Sequence, residues 1–154
     1  MRASYIVLTS TILFAASRAM ADAPPLGVGG SLGFPTPVQM FGGGDPDPNR
    51  TQDVGAEFQF SNLTNGTVIL KASSDCESKS WTVTNPAGTE VEHSAACPQG
   101  GQPVSVSVEP GKPVNGDGTV TLHVFDYSEG QTYTIHYTAF GVTMTGDFTV
   151  SLLK

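Results

Sequence analysis

The sequence predicts an all-β protein built as a two-sheet β-sandwich of seven to eight strands, preceded by a Gly/Pro-rich arm. Three observations carry this expectation. The 154 residues include 18 Gly and 11 Pro, well above the roughly 12% of average usage, so turns are frequent and long helices are disfavoured. Hydrophobic residues make up 38% of the chain, enough for one packed core of ordinary domain size and too many for wholesale disorder. From residue 54 onward apolar and polar residues alternate with period two, as strands with one buried face require, and no segment carries a helical stripe.

Residues 1–21 read as a signal peptide. Arg2 precedes the apolar run Tyr5–Ala16, and Ser17-Arg-Ala-Met-Ala21 offers small residues in an A-x-A arrangement, so cleavage is expected after Ala21. The run is shorter than the ~20 apolar residues that span a bilayer. Membrane insertion is therefore not expected once the leader is removed. Residues 22–53 hold 7 Gly and 6 Pro in 32 positions, and this composition predicts a linker or irregular arm. Its Leu26, Val28, Leu32, Val38 and Met40 are more apolar than a solvated tail, so part of it is expected along the domain as an edge strand.

The domain proper is expected over residues 54–154. Phe58 and Phe60 alternate with Glu57, Gln59 and Ser61, and Val68-Ile-Leu70 follows the turn-like Asn65-Gly66. Trp81 and Val83 lead into Asn85-Pro-Ala-Gly88, and Val91 resumes on the far side. Val104, Val106 and Val108 alternate strictly with Ser and stop at Pro110-Gly111. Val120, Leu122 and Val124 form the next strand, then Tyr133, Ile135, Tyr137 and Ala139, and finally Val142, Met144, Phe148, Val150 and Leu152. Short strands with turn signals over ~100 residues fit an immunoglobulin-like sandwich.

Cys76 and Cys97 are the only cysteines, and an exported chain meets an oxidising compartment in which they pair. Asn85-Pro86-Ala87-Gly88 suits a type I turn with Gly in the left-handed position. In that register Val83 faces Val91 and Trp81 faces His93. Extending the ladder sets Cys97 opposite Glu77, an offset that one bulge is expected to close. No C-x-x-C beside a helix start is present, so the pair reads as a structural staple.

The net charge of −7 argues against nucleic acid as a partner, because phosphate binding needs clustered Lys and Arg. Asp45-Pro-Asp47-Pro-Asn49 begins like a calcium loop, but Arg50 stands where Gly is needed and Ala56 where Glu is needed. His123 and His136 fall on strands expected to be adjacent, which makes them weak metal candidates without further ligands. No G-x-S-x-G elbow is present, and no enzyme activity or cofactor is expected. Trp81, aligned with core-facing Val83, reads as a buried anchor. Loops held by a rigid scaffold are then the expected sites of function: Ser73–Ser80, Ser94–Gln102, Glu109–Gly118 and Asp126–Gln131. The residues singled out are Ala95, Ala96, Pro98 and Gln99, in the loop stiffened by Cys97, with Tyr127 and Glu129 on the last loop.

The stretches Phe58–Leu70, Trp81–Val91, Val106–Gly111 and Gly130–Ile135 together resemble the bacterial intracellular proteinase inhibitor (BsuPI-type) family and its exported relatives over about residues 57–140. Glu92-His93 stands where that family has a further aromatic. Gly130-Gln-Thr-Tyr133 also resembles the tyrosine corner of immunoglobulin-like sandwiches, in which the phenol ties back to the backbone. The resemblance implies a protein-binding domain, of which a protease inhibitor acting through rigid loops is one form; the leader implies a secreted or periplasmic location, itself a departure from the family picture, and a monomer is expected. The alternative is a structural or adhesive surface subunit that uses the 22–53 arm for strand addition.

Overall fold

The computed structural model describes residues 27–41, 47 and 49–153; the leader expected over residues 1–21 lies outside them, as does most of the Asp45–Asn49 motif. Ten strands follow in order: β1 (Val28–Gly33), β2 (Val38–Phe41), β3 (Thr51–Asn62), β4 (Val68–Ala72), β5 (Lys79–Thr84), β6 (Glu90–His93), β7 (Val104–Val108), β8 (Val114–His123), β9 (Thr132–Ala139) and β10 (Val142–Leu153). A single 3-10 turn, Val124–Asp126, lies between β8 and β9. The protein is all-β and forms a sandwich. One layer is the three-stranded sheet β1-β3-β8, the other the five-stranded sheet β2-β10-β9-β5-β6. The pair β4-β7 joins the first layer through Asn62, whose side-chain amide donates to the Val108 carbonyl at 2.6 Å.

Alternation decides which face is buried. Val54, Ala56, Phe58 and Phe60 of β3 point inward, as do Tyr133, Ile135, Tyr137 and Ala139 of β9 and Val142, Met144, Phe148 and Val150 of β10. Phe58 packs on Tyr137 with ring centroids 5.8 Å apart, and Tyr127 meets Tyr133 edge to face at 4.9 Å. Trp81 is buried, as its alignment with Val83 requires. The Ser128 amide donates to the Tyr133 phenol at 3.0 Å, so the backbone tie expected of a tyrosine corner is present.

The structure departs from the expected outline in two places. Within residues 22–53, the segment expected to be a linker or irregular arm with part of it as an edge strand holds two such strands, both in this molecule's own sheets. β1 lies antiparallel to β3 with Leu32 opposite Phe58, and β2 lies parallel to β10 with Val38 opposite Val150. Val28, Val38 and Met40 are core residues. Both strands sit at sheet edges, where Gly and neighbouring Pro are tolerated, and the boundary expected at residue 54 falls inside β3. The count is accordingly ten rather than seven or eight. The second departure is β8, which starts at Val114 although Asn115-Gly-Asp-Gly118 has turn composition. Phe58 and Tyr137 fill the space beneath it: a Cβ at Gly116 would lie 2.4 Å from the Phe58 ring, and one at Gly118 would lie 2.0 Å from the Tyr137 oxygen. These glycines admit the rings; they do not turn the chain.

Candidate functional site

The β5–β6 hairpin sets the geometry of the exposed loop that follows it. The Gly88 amide donates to the Asn85 carbonyl at 2.9 Å with Gly88 at φ +77°, and the Asn85 side chain accepts from Ala87 and Thr89, each at 3.0 Å. The turn is the expected one, but the ladder is not. A bulge between Val83 and Thr84 pairs Val83 with Glu92 and Thr82 with His93. Val83 therefore does not face Val91, nor Trp81 His93. An extra residue on the bulged strand reverses the facing of everything beyond it, so Glu92 turns inward and Trp81 meets Ser94. The Ser94 amide donates to the Trp81 carbonyl at 2.9 Å, and the Trp81 amide donates to the Ser94 hydroxyl at 3.2 Å.

Cys76 and Cys97 form a disulfide with Cα atoms 5.8 Å apart. The bulge does not close their offset, because it slips the register the other way; the cysteines meet beyond the ends of both strands. Cys76 rides on a tight turn in which the Ser78 amide donates to the Ser74 carbonyl at 2.9 Å and the Glu77 amide to the Ser74 hydroxyl at 3.1 Å. Farther along, Gly101 at φ +143° passes so close to this turn that a Cβ there would lie 2.6 Å from the Ser74 Cβ. The loop Ser94–Gln102 is thus pinned at Ser94 and at Cys97, and its far end passes close to the Ser74 turn at Gly101. Between those points Ala95, Ala96, Pro98 and Gln99 are exposed.

Of the other candidates, Tyr127 is not a surface contact. It is 4% exposed, packed on Tyr133, and its hydroxyl donates to Glu92 at 2.9 Å. Glu129 is exposed and accepts from the Leu152 amide. The stretch Glu109–Gly118 is a loop only up to Pro113, since β8 takes the rest.

His123 and His136 do not meet. His123 ends β8 in one sheet, whereas His136 lies in β9 of the other, between Thr82 and Thr145. The 3-10 turn after His123 carries the chain across the sandwich, so consecutive strands are not neighbours. His136 instead lines an open groove of about 550 Å³ with His93, Thr82 and Thr138.

The partner of His123 is Glu92, which periodicity alone would point outward. Its side chain is 8% exposed. It accepts from the His123 amide at 3.1 Å, from the Tyr127 hydroxyl and from the His123 imidazole through Nδ1. Asp126 joins them: one ligand atom each from Glu92, His123 and Asp126 lie within 4.8 Å of one another. The hydrogen bond that the His123 imidazole donates to Glu92 raises the pKa of His123 above 6.5; burial opposes it, and the charges of Glu92 and Asp126 add to it. Burial first, then Glu92, pushes the Tyr127 phenol far up, so it stays a donor.

Fold and staple together define a disulfide-bonded β-sandwich. No family model matches the chain, and no curated protein matches it. Among solved structures, a β-glucosidase from Listeria innocua is similar over 82% of this chain, at 11% identity and a TM-score of 0.41. The match spans 17% of that chain. A disulfide fits an oxidising compartment, and no helix among the described residues is long and apolar enough to cross a membrane.

Proposed function

We propose that this protein is an exported, secreted or periplasmic binding domain that presents the loop Ser94–Gln102 to the groove of a protein partner, with a protease as the partner class. One observation carries the reading: the loop is tied down at Ser94 and Cys97, yet Ala95, Ala96, Pro98 and Gln99 remain exposed. A loop already held in one conformation loses little entropy on binding, which is where much of the cost of association lies. Inhibitors of proteases are preorganised in this sense, with backbones that move little on complex formation. An exposed stretch without hydrogen-bonded neighbours also leaves its amides and carbonyls free for a groove that pairs with extended chain. The resemblance to proteinase inhibitors over residues 57–140 supports the same reading. The loop is small and neutral at its tip, which suits a shallow specificity pocket for small side chains.

The test is inhibition of a panel of secreted serine and cysteine proteases by the purified protein at about 10 μM. Inhibition of at least one elastase-like enzyme is expected, with loss of inhibition when Ala95–Gln99 is replaced by a Gly/Ser segment. No inhibition anywhere in the panel removes the protease reading, and inhibition that survives the replacement removes the loop.

A further inference from the structure

We propose that Glu92, His123 and Asp126 form a binding site for a divalent first-row transition-metal ion, zinc being the reference case. The three side chains come from three elements. His123 is the last residue of β8, and Asp126 ends the 3-10 turn that starts at the next residue. His123 enters the turn in extended conformation and Asp126 ends it, and the turn brings their ligand atoms to within 4.8 Å of each other. Glu92 reaches the same point from β6 because the bulge turns it inward.

The donor set suits the ion. One imidazole nitrogen with two carboxylates matches zinc or copper better than calcium, which takes oxygen ligands in larger number. Three protein ligands leave a fourth position for water or a substrate group, as in open zinc sites. Bonds of about 2.0–2.2 Å to a tetrahedral ion place ligand atoms about 3.4 Å apart. The present atoms lie within 4.8 Å of one another, and the exposed Asp126 and the half-exposed His123 close that gap by small side-chain rotations.

The surroundings are also those of a metal site. Ligand carboxylates are held by outer hydrogen bonds that fix their orientation. Glu92 has two such bonds that an ion need not disturb, from the buried Tyr127 hydroxyl at 2.9 Å and from the His123 amide at 3.1 Å. The imidazole Nδ1 already faces the carboxylate, where an ion takes the place of the proton between them. His136 has no part in this site, and His93 bonds Glu90 at 2.9 Å on the β6 strand instead.

The experiment is calorimetric titration of chelator-treated protein with zinc chloride, paired with visible absorption on adding cobalt chloride. One ion per chain and a tetrahedral cobalt band are expected. Asp126→Asn, at an exposed position, should weaken zinc binding about tenfold or more, and Tyr127→Phe by about tenfold through loss of the outer bond. His123→Ala should abolish the cobalt band, and His136→Ala and His93→Ala should leave it unchanged. Absence of zinc binding by the parent protein overturns the proposal. So does binding that Asp126→Asn and His123→Ala leave intact, or that His93→Ala removes.

Discussion

Glu92 is held by donors from three directions, the His123 amide, the His123 imidazole and the Tyr127 hydroxyl, and this accounts for a carboxyl group at the edge of an otherwise apolar core. A hydrogen bond to a charged group contributes about 1.5–3 kcal/mol, and its removal leaves a buried acceptor short of a donor. Tyr127→Phe is therefore expected to lower stability by about 2 kcal/mol in urea denaturation; an unchanged midpoint would mean that the bond does not hold Glu92. The His123 contact has a pH signature. Its pKa is raised in the folded protein by the Glu92 hydrogen bond, with Asp126 adding charge and the neutral Tyr127 phenol adding none. A raised folded value means that its stabilisation is complete below the unfolded value of about 6.5 and is lost as pH rises through the folded value. In chelator-treated protein the gap in Tm between the parent and His123→Ala should thus be wider at about pH 6 than at about pH 9. A gap that grows with pH would reverse the assignment.

Among the elements, β8 shows how composition and environment can point in opposite directions. Its Gly116 and Gly118 stand opposite Phe58 and Ala56 on the inner face, and the aromatic rings occupy the room a side chain would need. Gly118→Ala is expected to cost about 1–3 kcal/mol through overpacking, whereas Gly55→Ala, where a Cβ meets nothing within 4 Å, should stay within about 0.5 kcal/mol. Thermal denaturation of the two variants checks the contrast, and equal effects would exclude the steric account. The strands with long alternation, β3, β9 and β10, were legible because each buries four residues on one face, two apart throughout in β3 and β9 and interrupted only at Gly146 in β10. β2 was not legible, because Val38 and Met40 give only one repeat inside a Gly/Pro-rich stretch. Its pairing partner lies in β10, beyond any local signal. The staple and the Asn85–Gly88 turn were legible from residue type alone. The Glu92 site was hidden by a single bulge: one extra residue on β6 sets Glu92, not Val91, opposite Val83, and no local sequence rule fixes where a bulge falls. His123 and His136 misled for a related reason, since adjacency in sequence does not survive a crossover between layers.

At the scale of the whole molecule, residues 27–41 belong to the sandwich. They contribute Val28, Val38 and Met40 to the core and pack Leu32 and Phe34 against it. Each fully buried aliphatic side chain contributes about 1.5–3 kcal/mol, so losing the segment removes an amount comparable with the 5–15 kcal/mol that holds a typical domain together. A chain begun at residue 42 should therefore lose its sharp thermal transition and bind a hydrophobic dye; a cooperative transition near the parent Tm would show that β1 and β2 are dispensable. The parallel pairing of β2 with β10 joins Val38 to Val150, 112 positions later in the chain. Contacts of such range form last and slowly, because a long loop must close before the pair is rewarded. At about 5–20 residues per second of synthesis, Val38 waits on the order of 10 s for its partner to emerge. Throughout that interval the nascent chain carries an unpaired, apolar strand. The sheet closes only when residues 150–153 arrive, so this domain completes its folding only after the last residues of β10 have been delivered.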